Sequence, residues 1–343
     1  MKTIAMYLPQ YHSIPENDRR IYPGYTEWDL VKKAEPLFEN HYQPRIPLGY
    51  NYYNLSDWRV LDSQAELALQ YGIDGFCFYH YYFNHNKIVM NNPLLLLLER
   101  RSIQIEFCLC WANESWGEKG NIWTNRFQSH ETIIQEYGDE KEWEAHYNYL
   151  NRFFADERYI KINNKPVFVI YKPEDIKMFS QMSQKCNHLA VKDGFDGIYF
   201  IGINTWNKLD GMDAVLFHAP NCGFCRGNND ELKNGVLLKD YNAVWERILS
   251  IEMDNRKAYY GSFVDFDNTS RYGNNHSLCM KNAGLDAFTY YFEKAVQKNI
   301  KANNELIWIN AWNEWSEGNY LEPDEKNRYR YLEAIRNIYK KLT

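Results

Sequence analysis

Short runs of apolar and β-branched residues recur along the chain, and between them lie longer stretches with amphipathic spacing. Eight of these runs predict strands, at residues 3–8, 73–79, 105–111, 167–171, 198–203, 214–218, 259–264 and 306–311. Strands that alternate with helix-like segments are typical of βα units built around a parallel sheet.

The helix-like segments differ in regularity. Residues 58–70 place apolar side chains on one face, and Ser56 and Asp57 supply a start signal before them. Residues 140–154 and 286–296 also predict helices, whereas residues 221–235 are rich in Gly and Asn and predict a long loop.

The predicted fold class is α/β, a single (β/α)8 TIM barrel over residues 1–343 with elaborated βα loops. A closed barrel is favoured over an open sheet because the chain contains neither GxGxxG nor GxxxxGK[ST], the usual nucleotide-binding motifs. No low-complexity linker divides the 343 residues.

Charge and composition exclude several classes of partner. A net charge of -6 with no basic cluster argues against nucleic acid, and the leucines at 94–98 are too few for a membrane span.

The first residues enter a strand pattern with no signal peptide, which predicts a cytoplasmic protein. The lone CxxC of Cys222 and Cys225 lacks a second ligand pair, so we expect no metal and no cofactor.

Aromatic residues make up 17% of the chain, and many of them stand beside Asn, Gln, His or Glu. Sugars present apolar faces that stack on rings and hydroxyls that need polar partners, so this mixture suits a carbohydrate site. The other interpretation is a core that is simply rich in Tyr.

Polar and aromatic residues also follow most of the predicted strands, at the end where a barrel carries its site. They are Gln10, Tyr11 and His12 after the first strand, Tyr79, His80, Tyr81 and Tyr82 at the second, Trp111, Asn113, Glu114 and Trp116 at the third, Tyr171 and Lys172 at the fourth, Asn204 and Trp206 at the fifth, Asp265, Asp267 and Asn268 at the seventh, and Trp312, Asn313, Glu314 and Glu317 at the eighth.

The strongest chemical signal is the segment NEWSEG, where Glu314 and Glu317 flank a tryptophan directly after an apolar strand. Glycoside cleavage needs two carboxyl groups, one to protonate the leaving oxygen and one to act as base or nucleophile. The alternative is that both acids decorate a helix N-terminus.

Several segments resemble WbsX-type proteins of bacterial surface-polysaccharide gene clusters. They are YLPQYHSIPEND, GYTEWDLVKKAEPLFENHYQPRIPLGYNYYNL, QYGIDGFCFYHYYF, CWANESW, RYIKINNKPVFVIY, FDNTSR and NAWNEWSEGNYLEPD. That group is similar to glycoside hydrolase family 99, the endo-α-mannosidases and endo-mannanases, chiefly through NEWxEG. The resemblance implies a (β/α)8 barrel and retaining cleavage of an oligosaccharide or polysaccharide.

Carried over by position, the resemblance implies that Glu314 removes a proton from the sugar 2-hydroxyl and that Glu317 is the general acid/base. A 1,2-anhydro intermediate requires an α-manno or α-rhamno configuration. Ser316 stands where family 99 commonly has His.

The remaining candidate site residues are assigned by strand-end position and family motif. Glu114 is a supporting carboxylate or the partner in a structural salt bridge. The expected subsite residues are Tyr7, Gln10, Tyr11, Tyr79, His80, Trp111, Asn113, Tyr171, Asp267, Asn268, Arg271, Trp312 and Asn313.

Two other functions compete with hydrolysis. A glycosyltransferase would use Asp265, Phe266 and Asp267 as a DxD motif for the metal of a nucleotide sugar. A glycan-binding protein without activity is the second alternative, against which the presence of both glutamates argues. The sequence leaves the oligomeric state open.

Overall fold

A computed structural model describes residues 1–116, 133–225, 227 and 230–342. Its centre is a parallel sheet of nine strand segments, which make eight barrel strands because the seventh is broken in two. The segments are β1 (Lys2–Tyr7), β2 (Gly75–Phe83), β3 (Glu106–Trp111), β4 (Lys165–Ile170), β5 (Tyr199–Ile203), β6 (Ala214–Phe217), β7a (Lys257–Tyr260), β7b (Ser262–Phe263) and β8 (Leu306–Asn310).

Helices surround this sheet. They are α1 (Pro15–Arg20), α2 (Trp28–Lys33), α3 (Trp58–Gln70), α4 (Asn92–Glu99), α5 (Glu140–Phe154), α6 (Phe179–Lys192), α7 (Tyr241–Ser250), α8 (Thr269–Tyr272), α9 (Leu285–Lys301) and α10 (Arg330–Leu342). The α3 helix begins where the sequence predicted, because the Asp57 side chain accepts a hydrogen bond from the backbone N–H of Arg59. Residues 204–213 connect β5 to β6 without a helix.

The barrel closes through the broken seventh strand. β7a pairs with β6, β7b pairs with β8, and β8 pairs in parallel with β1. Gly261 lies at the break, where its N–H donates to the Phe217 carbonyl and an added Cβ would lie 2.5 Å from that oxygen. The predicted (β/α)8 class is therefore confirmed.

β2 shows how the barrel is packed and why one strand boundary differs from the prediction. All nine of its residues are buried, because one face meets the barrel interior and the other meets helices. The strand runs on to Phe83 and forms an antiparallel pair with Lys87–Val89. His80, Tyr81 and Tyr82 therefore lie within the strand and not after it.

The loop predicted at residues 221–235 is wrong in part. Asn221–Gly223 form a 3₁₀ turn, and Glu231–Lys233 pair with Val236–Asp240, which pair in turn with Leu278–Lys281. The connection between the first two strands is Asn234 and Gly235, both with positive φ. An Asn-Gly pair is the usual two-residue hairpin turn, so the signal was present in the sequence.

No helix among the described residues is long and apolar enough to cross a membrane.

Gly261→Ala should destabilise the fold, because the new methyl group would overlap the Phe217 carbonyl at the point of barrel closure. We expect a loss of about 2 kcal/mol or more in the free energy of unfolding, measured by urea titration. Gly284→Ala is the matched control. An added Cβ there meets no atom within 4 Å, and its cost as the residue before α9 should stay below about 1 kcal/mol. Equal losses in the two variants would contradict the explanation.

Candidate active site

The two predicted catalytic glutamates lie on a tight loop directly after β8. Asn313 and Glu314 pair antiparallel with Tyr320 and Asn319, and a 3₁₀ turn over Trp315–Glu317 connects them. Gly318 ends that turn in the left-handed conformation, and a Cβ there would lie 2.9 Å from the Asp267 side chain. The acids therefore project from a hairpin-like loop, not from a helix N-terminus.

Side chains from the first strand and its connection hold this loop in place. The Asn313 amide accepts from the Leu8 N–H at 2.7 Å and donates to the Leu8 carbonyl at 2.9 Å. The Tyr11 hydroxyl donates to the Asn313 carbonyl and accepts from the Trp315 N–H. Buried backbone groups that are satisfied in this way fix the positions of the residues between them.

The Trp315 ring is fixed as well. It stacks on Tyr320 with ring centroids 3.7 Å apart, and its indole N–H donates to Glu322 at 2.6 Å. Glu322 also accepts from Tyr53 and Gln64, so the loop that carries Glu314 and Glu317 rests on a buried carboxylate. Burial raises the pKa of Glu322 from 4.5 to about 7, although hydrogen bonds, including those from Trp315, Tyr53 and Gln64, act in the opposite direction.

Glu314 and Glu317 open into a cavity of about 380 Å³ at the carboxyl end of the barrel, a size within the range of small-molecule sites. Its described lining is mostly polar and aromatic. It includes Gln10, Asn17, Arg20, Tyr25, Glu27, Tyr79, Tyr81, Glu114, Tyr171, His218, Asn221, Phe266, Arg271, Asn310, Glu314 and Glu317.

One guanidinium group joins the acids of this cavity. Arg271 donates from Nη1 to Glu317 at 2.6 Å, and from Nη2 to Glu314 at 3.3 Å and to Glu27 at 3.1 Å. Its Nε donates to the Ser316 hydroxyl at 2.8 Å. All three guanidinium nitrogens of Arg271 therefore face the loop of residues 314–317 or Glu27.

The two catalytic candidates lie in different environments. Glu314 is buried, and this burial raises its pKa well above the usual value, with further upward contributions from Glu317 and Glu27 and a downward one from Arg271. The Glu317 side chain is 25% exposed and makes the shortest contact with Arg271. The raised pKa means that Glu314 keeps its proton to a higher pH than a free glutamate does.

The structure brings seven of the predicted site residues into the cavity lining: Gln10, Tyr79, Glu114, Tyr171, Arg271, Glu314 and Glu317. Neighbouring side chains of a strand point to opposite faces, which explains why only some of the predicted residues of β2 reach the cavity. Tyr79 and Tyr81 line the cavity, whereas His80 stacks on Tyr149 and contacts His146 of α5.

The other predicted residues lie behind the lining and hold it. Tyr7 donates to Gln64, the Trp111 indole donates to the Tyr82 carbonyl, and the Asn113 amide clamps the backbone of Lys172. Asn268 accepts from the Leu278 N–H.

Asn313 and Tyr11 anchor the loop that carries Glu314 and Glu317, and Trp312 is fully buried. His80 belongs to this group too, as does Asp267, which is bound by His41, Gln43 and Thr269.

Sequence reasoning missed Glu27, His218 and Asn310, which all line the cavity. His218 ends β6, the one strand whose end was not examined for polar groups, and burial lowers its pKa to about 4, so the ring is neutral. Glu27 lies in the long connection between β1 and α3, and long connections in compact domains are often functional.

The DxD alternative meets a structural obstacle. Asp265 accepts from Arg45 at 2.9 Å, and Asp267 lies 3.5 Å from the same guanidinium. Only Phe266 of that triplet lines the cavity. The two carboxylates are therefore already paired and do not face the site.

His41, Asp267 and Cys279 are close enough to hold a metal ion. However, His41 Nδ1 accepts from the Leu37 N–H, so a neutral ring carries its proton on Nε2 and donates it to Asp267 at 3.0 Å. This cluster is a satisfied hydrogen-bond network in which Arg45 also takes part.

Comparisons with known proteins agree with the geometry. A family model described as "Glycosyltransferase WbsX" matches residues 3–335. The chain belongs to the WbsX family. Two relatives named "Uncharacterized protein WxcX", from Xanthomonas campestris pv. campestris strains B100 and ATCC 33913, are 30% and 29% identical over 347 residues. The match covers 97% of this chain and 49% of theirs, so the chain spans about half the length of these relatives.

Solved glycoside hydrolases share the fold of this WbsX-family chain. The GH99 endo-alpha-mannosidase from Bacteroides thetaiotaomicron superposes with a TM-score of 0.61 at 14% identity, over 99% of this chain and 96% of that one. A structure titled "Glycoside hydrolase-like protein" gives a TM-score of 0.63 at 11% identity, over 98% and 93% of the two chains. At these identities the likeness shows the barrel and its arrangement of strands.

The raised pKa of Glu322 predicts a pH-dependent stability. The folded state binds a proton that the unfolded state releases above pH 4.5, so this contribution is complete below pH 4.5 and is lost as the pH rises through about 7. Between those limits the wild type should lose stability more steeply than Glu322→Gln, measured as thermal unfolding midpoints against pH. Parallel curves for the two proteins would count against a neutral Glu322.

Proposed function

We propose that this WbsX-family protein is a retaining glycoside hydrolase that acts on an α-manno- or α-rhamno-configured bacterial surface polysaccharide or its precursor. Glu314 and Glu317 are its catalytic pair. The observation that carries the proposal is the contact of one arginine, Arg271, with both carboxylates at a polar, aromatic cavity. Retention follows from the resemblance to family 99. The expected cytoplasmic location stays a prediction.

The chemistry requires the two acids to exchange their charge states. A glutamate that takes the proton of the sugar 2-hydroxyl must be ionised, and the one that protonates the leaving oxygen must carry a proton. The raised pKa of Glu314 favours its protonated form, so Glu314 must release that proton before it acts as the base. Arg271 contacts both groups and can balance the negative charge on either one.

Ser316 contributes to this arrangement through Arg271. Its hydroxyl accepts from Nε, which fixes the plane of the guanidinium between the two carboxylates. Where family 99 commonly has His, this chain therefore has a small side chain that aligns the arginine.

The competing function is glycosyl transfer, which the name of the family model favours. The charge of the cavity favours hydrolysis. Glu27, Glu114, Glu314 and Glu317 face two arginines in the described lining, and Arg271 is already paired with three of these acids. A nucleotide diphosphate entering such a cavity would meet an excess of negative charge.

Glu314→Gln and Glu317→Gln should each lower glycan cleavage by roughly a hundredfold or more, since each removes an acid or base. Wild type and both variants are incubated with α-mannoside and α-rhamnoside oligosaccharides and with matching sugar nucleotides, and products are followed by mass spectrometry. Glu333→Gln, an exposed acid on α10, is the control and should cleave like the wild type.

Glycans that are extended only when sugar nucleotides are present, to the same extent in the wild type and in Glu314→Gln, would show that the protein is a transferase and not a hydrolase. Retention is tested separately, by recording the anomer of the first-formed product by NMR. Inversion would disprove the proposed mechanism while leaving hydrolysis intact.

Glu27→Gln should shift the limb of the pH profile of kcat/KM that follows the titration of Glu314 to lower pH. The negative charge of Glu27 helps to raise the pKa of Glu314, so a neutral amide lowers that pKa and leaves the base ionised in more acidic solution. The profile of Glu333→Gln should coincide with that of the wild type. An unchanged or alkaline-shifted limb in Glu27→Gln would contradict the assignment of Glu314 as the base.

A further inference from the structure

Trp206 is a large apolar side chain left 55% exposed at the carboxyl end of the barrel. It lies in the connection from β5 to β6, the one without a helix. Its ring rests on Phe217 with centroids 4.9 Å apart, and its carbonyl accepts from Arg256 Nη2 at 2.8 Å. Arg256 thus fixes the backbone of Trp206, and the indole packs on Phe217 while a large part of it faces solvent.

Trp206 lines a second cavity, of about 520 Å³, that adjoins the catalytic one. Asn221 lines both cavities. A second link runs through Asn204, which lines the outer cavity and accepts at 2.8 Å from the N–H of His218, a residue of the catalytic cavity. The outer cavity therefore adjoins the cavity of Glu314 and Glu317 at Asn221.

The described lining of the outer cavity has the residue types that bind a neutral sugar. It combines the indole face of Trp206 with the amides of Asn204 and Asn221, the guanidinium of Arg247 and the hydroxyl of Ser250. No carboxylate occurs among its described lining residues, in contrast to the catalytic cavity. An aromatic ring with hydrogen-bonding groups around it suits the apolar face and the hydroxyls of a pyranose.

We propose that Trp206 is the platform of an outer subsite, which binds a neutral sugar residue. This sugar belongs to the same glycan whose reacting bond lies between Glu314 and Glu317. This rests on the proposed function. The bound chain passes Asn221 on its way from one cavity to the other. The protein therefore selects glycans long enough to occupy both cavities, and Trp206 contributes to the binding of long glycans only.

The test measures binding without turnover, by isothermal titration calorimetry in the Glu317→Gln background. The ligands are an α-linked manno-disaccharide and the matching pentasaccharide. With Trp206 intact, the pentasaccharide should bind at least about tenfold more tightly. Trp206→Ala should remove about tenfold of that affinity, equivalent to about 1.4 kcal/mol, and leave the disaccharide unchanged.

Two further variants separate stacking from a structural effect. Trp206→Phe keeps an aromatic face and should retain most of the preference for the pentasaccharide. Tyr290→Ala removes another exposed aromatic residue, 58% exposed on α9, and should change neither affinity.

The outer subsite would be overturned if Trp206→Ala kept the preference for the pentasaccharide. It would also be overturned if the protein with Trp206 intact showed no such preference. Cleavage of the same glycans by the wild type is recorded in parallel, so a failed outer subsite is distinguished from a failed hydrolase.

Discussion

The guanidinium of Arg271 is the interaction on which the site depends. The two carboxylates of Glu314 and Glu317 stand close together and repel each other, and burial of Glu314 adds a desolvation cost. Arg271 offsets both by donating to Glu314, Glu317 and Glu27 at once. Because three acids face one cation, the cluster retains negative charge when all three are ionised. Such a cluster suits a reaction in which two acids must exchange their charge states.

The barrel serves this cluster by bringing distant segments of the chain to one place. Glu27 comes from the connection after β1, Arg271 from α8 and the catalytic pair from the loop after β8. Parallel pairing of β1 with β8 makes the two ends of the sequence neighbours. Asn313 then joins the catalytic loop to Leu8 through two hydrogen bonds, so barrel closure and site geometry depend on the same contact.

The barrel builds its candidate site in two layers, and the same residue types appear in both. Aromatic and amide side chains line the cavity at Tyr79, Tyr171 and Asn310, yet they also form the buried support at Tyr11 and Asn313. The support layer fixes the backbone of the loop that carries the acids. Residue type at a strand end therefore indicates a site region but does not separate contact residues from supporting ones.

The sequence by itself determined the barrel, because strand and helix periodicities are local properties of the chain. It also determined the paired acids of NEWSEG, because they follow the last strand directly. Which side of a strand faces the cavity was decided by the tertiary structure. His80 and Tyr79 are adjacent in sequence, but pleating turns one towards α5 and the other towards the site. Glu27 joins the acids only because the folded connection after β1 brings it to Arg271. The two residues are more than 200 positions apart, and sequence periodicity cannot reveal a contact at that separation.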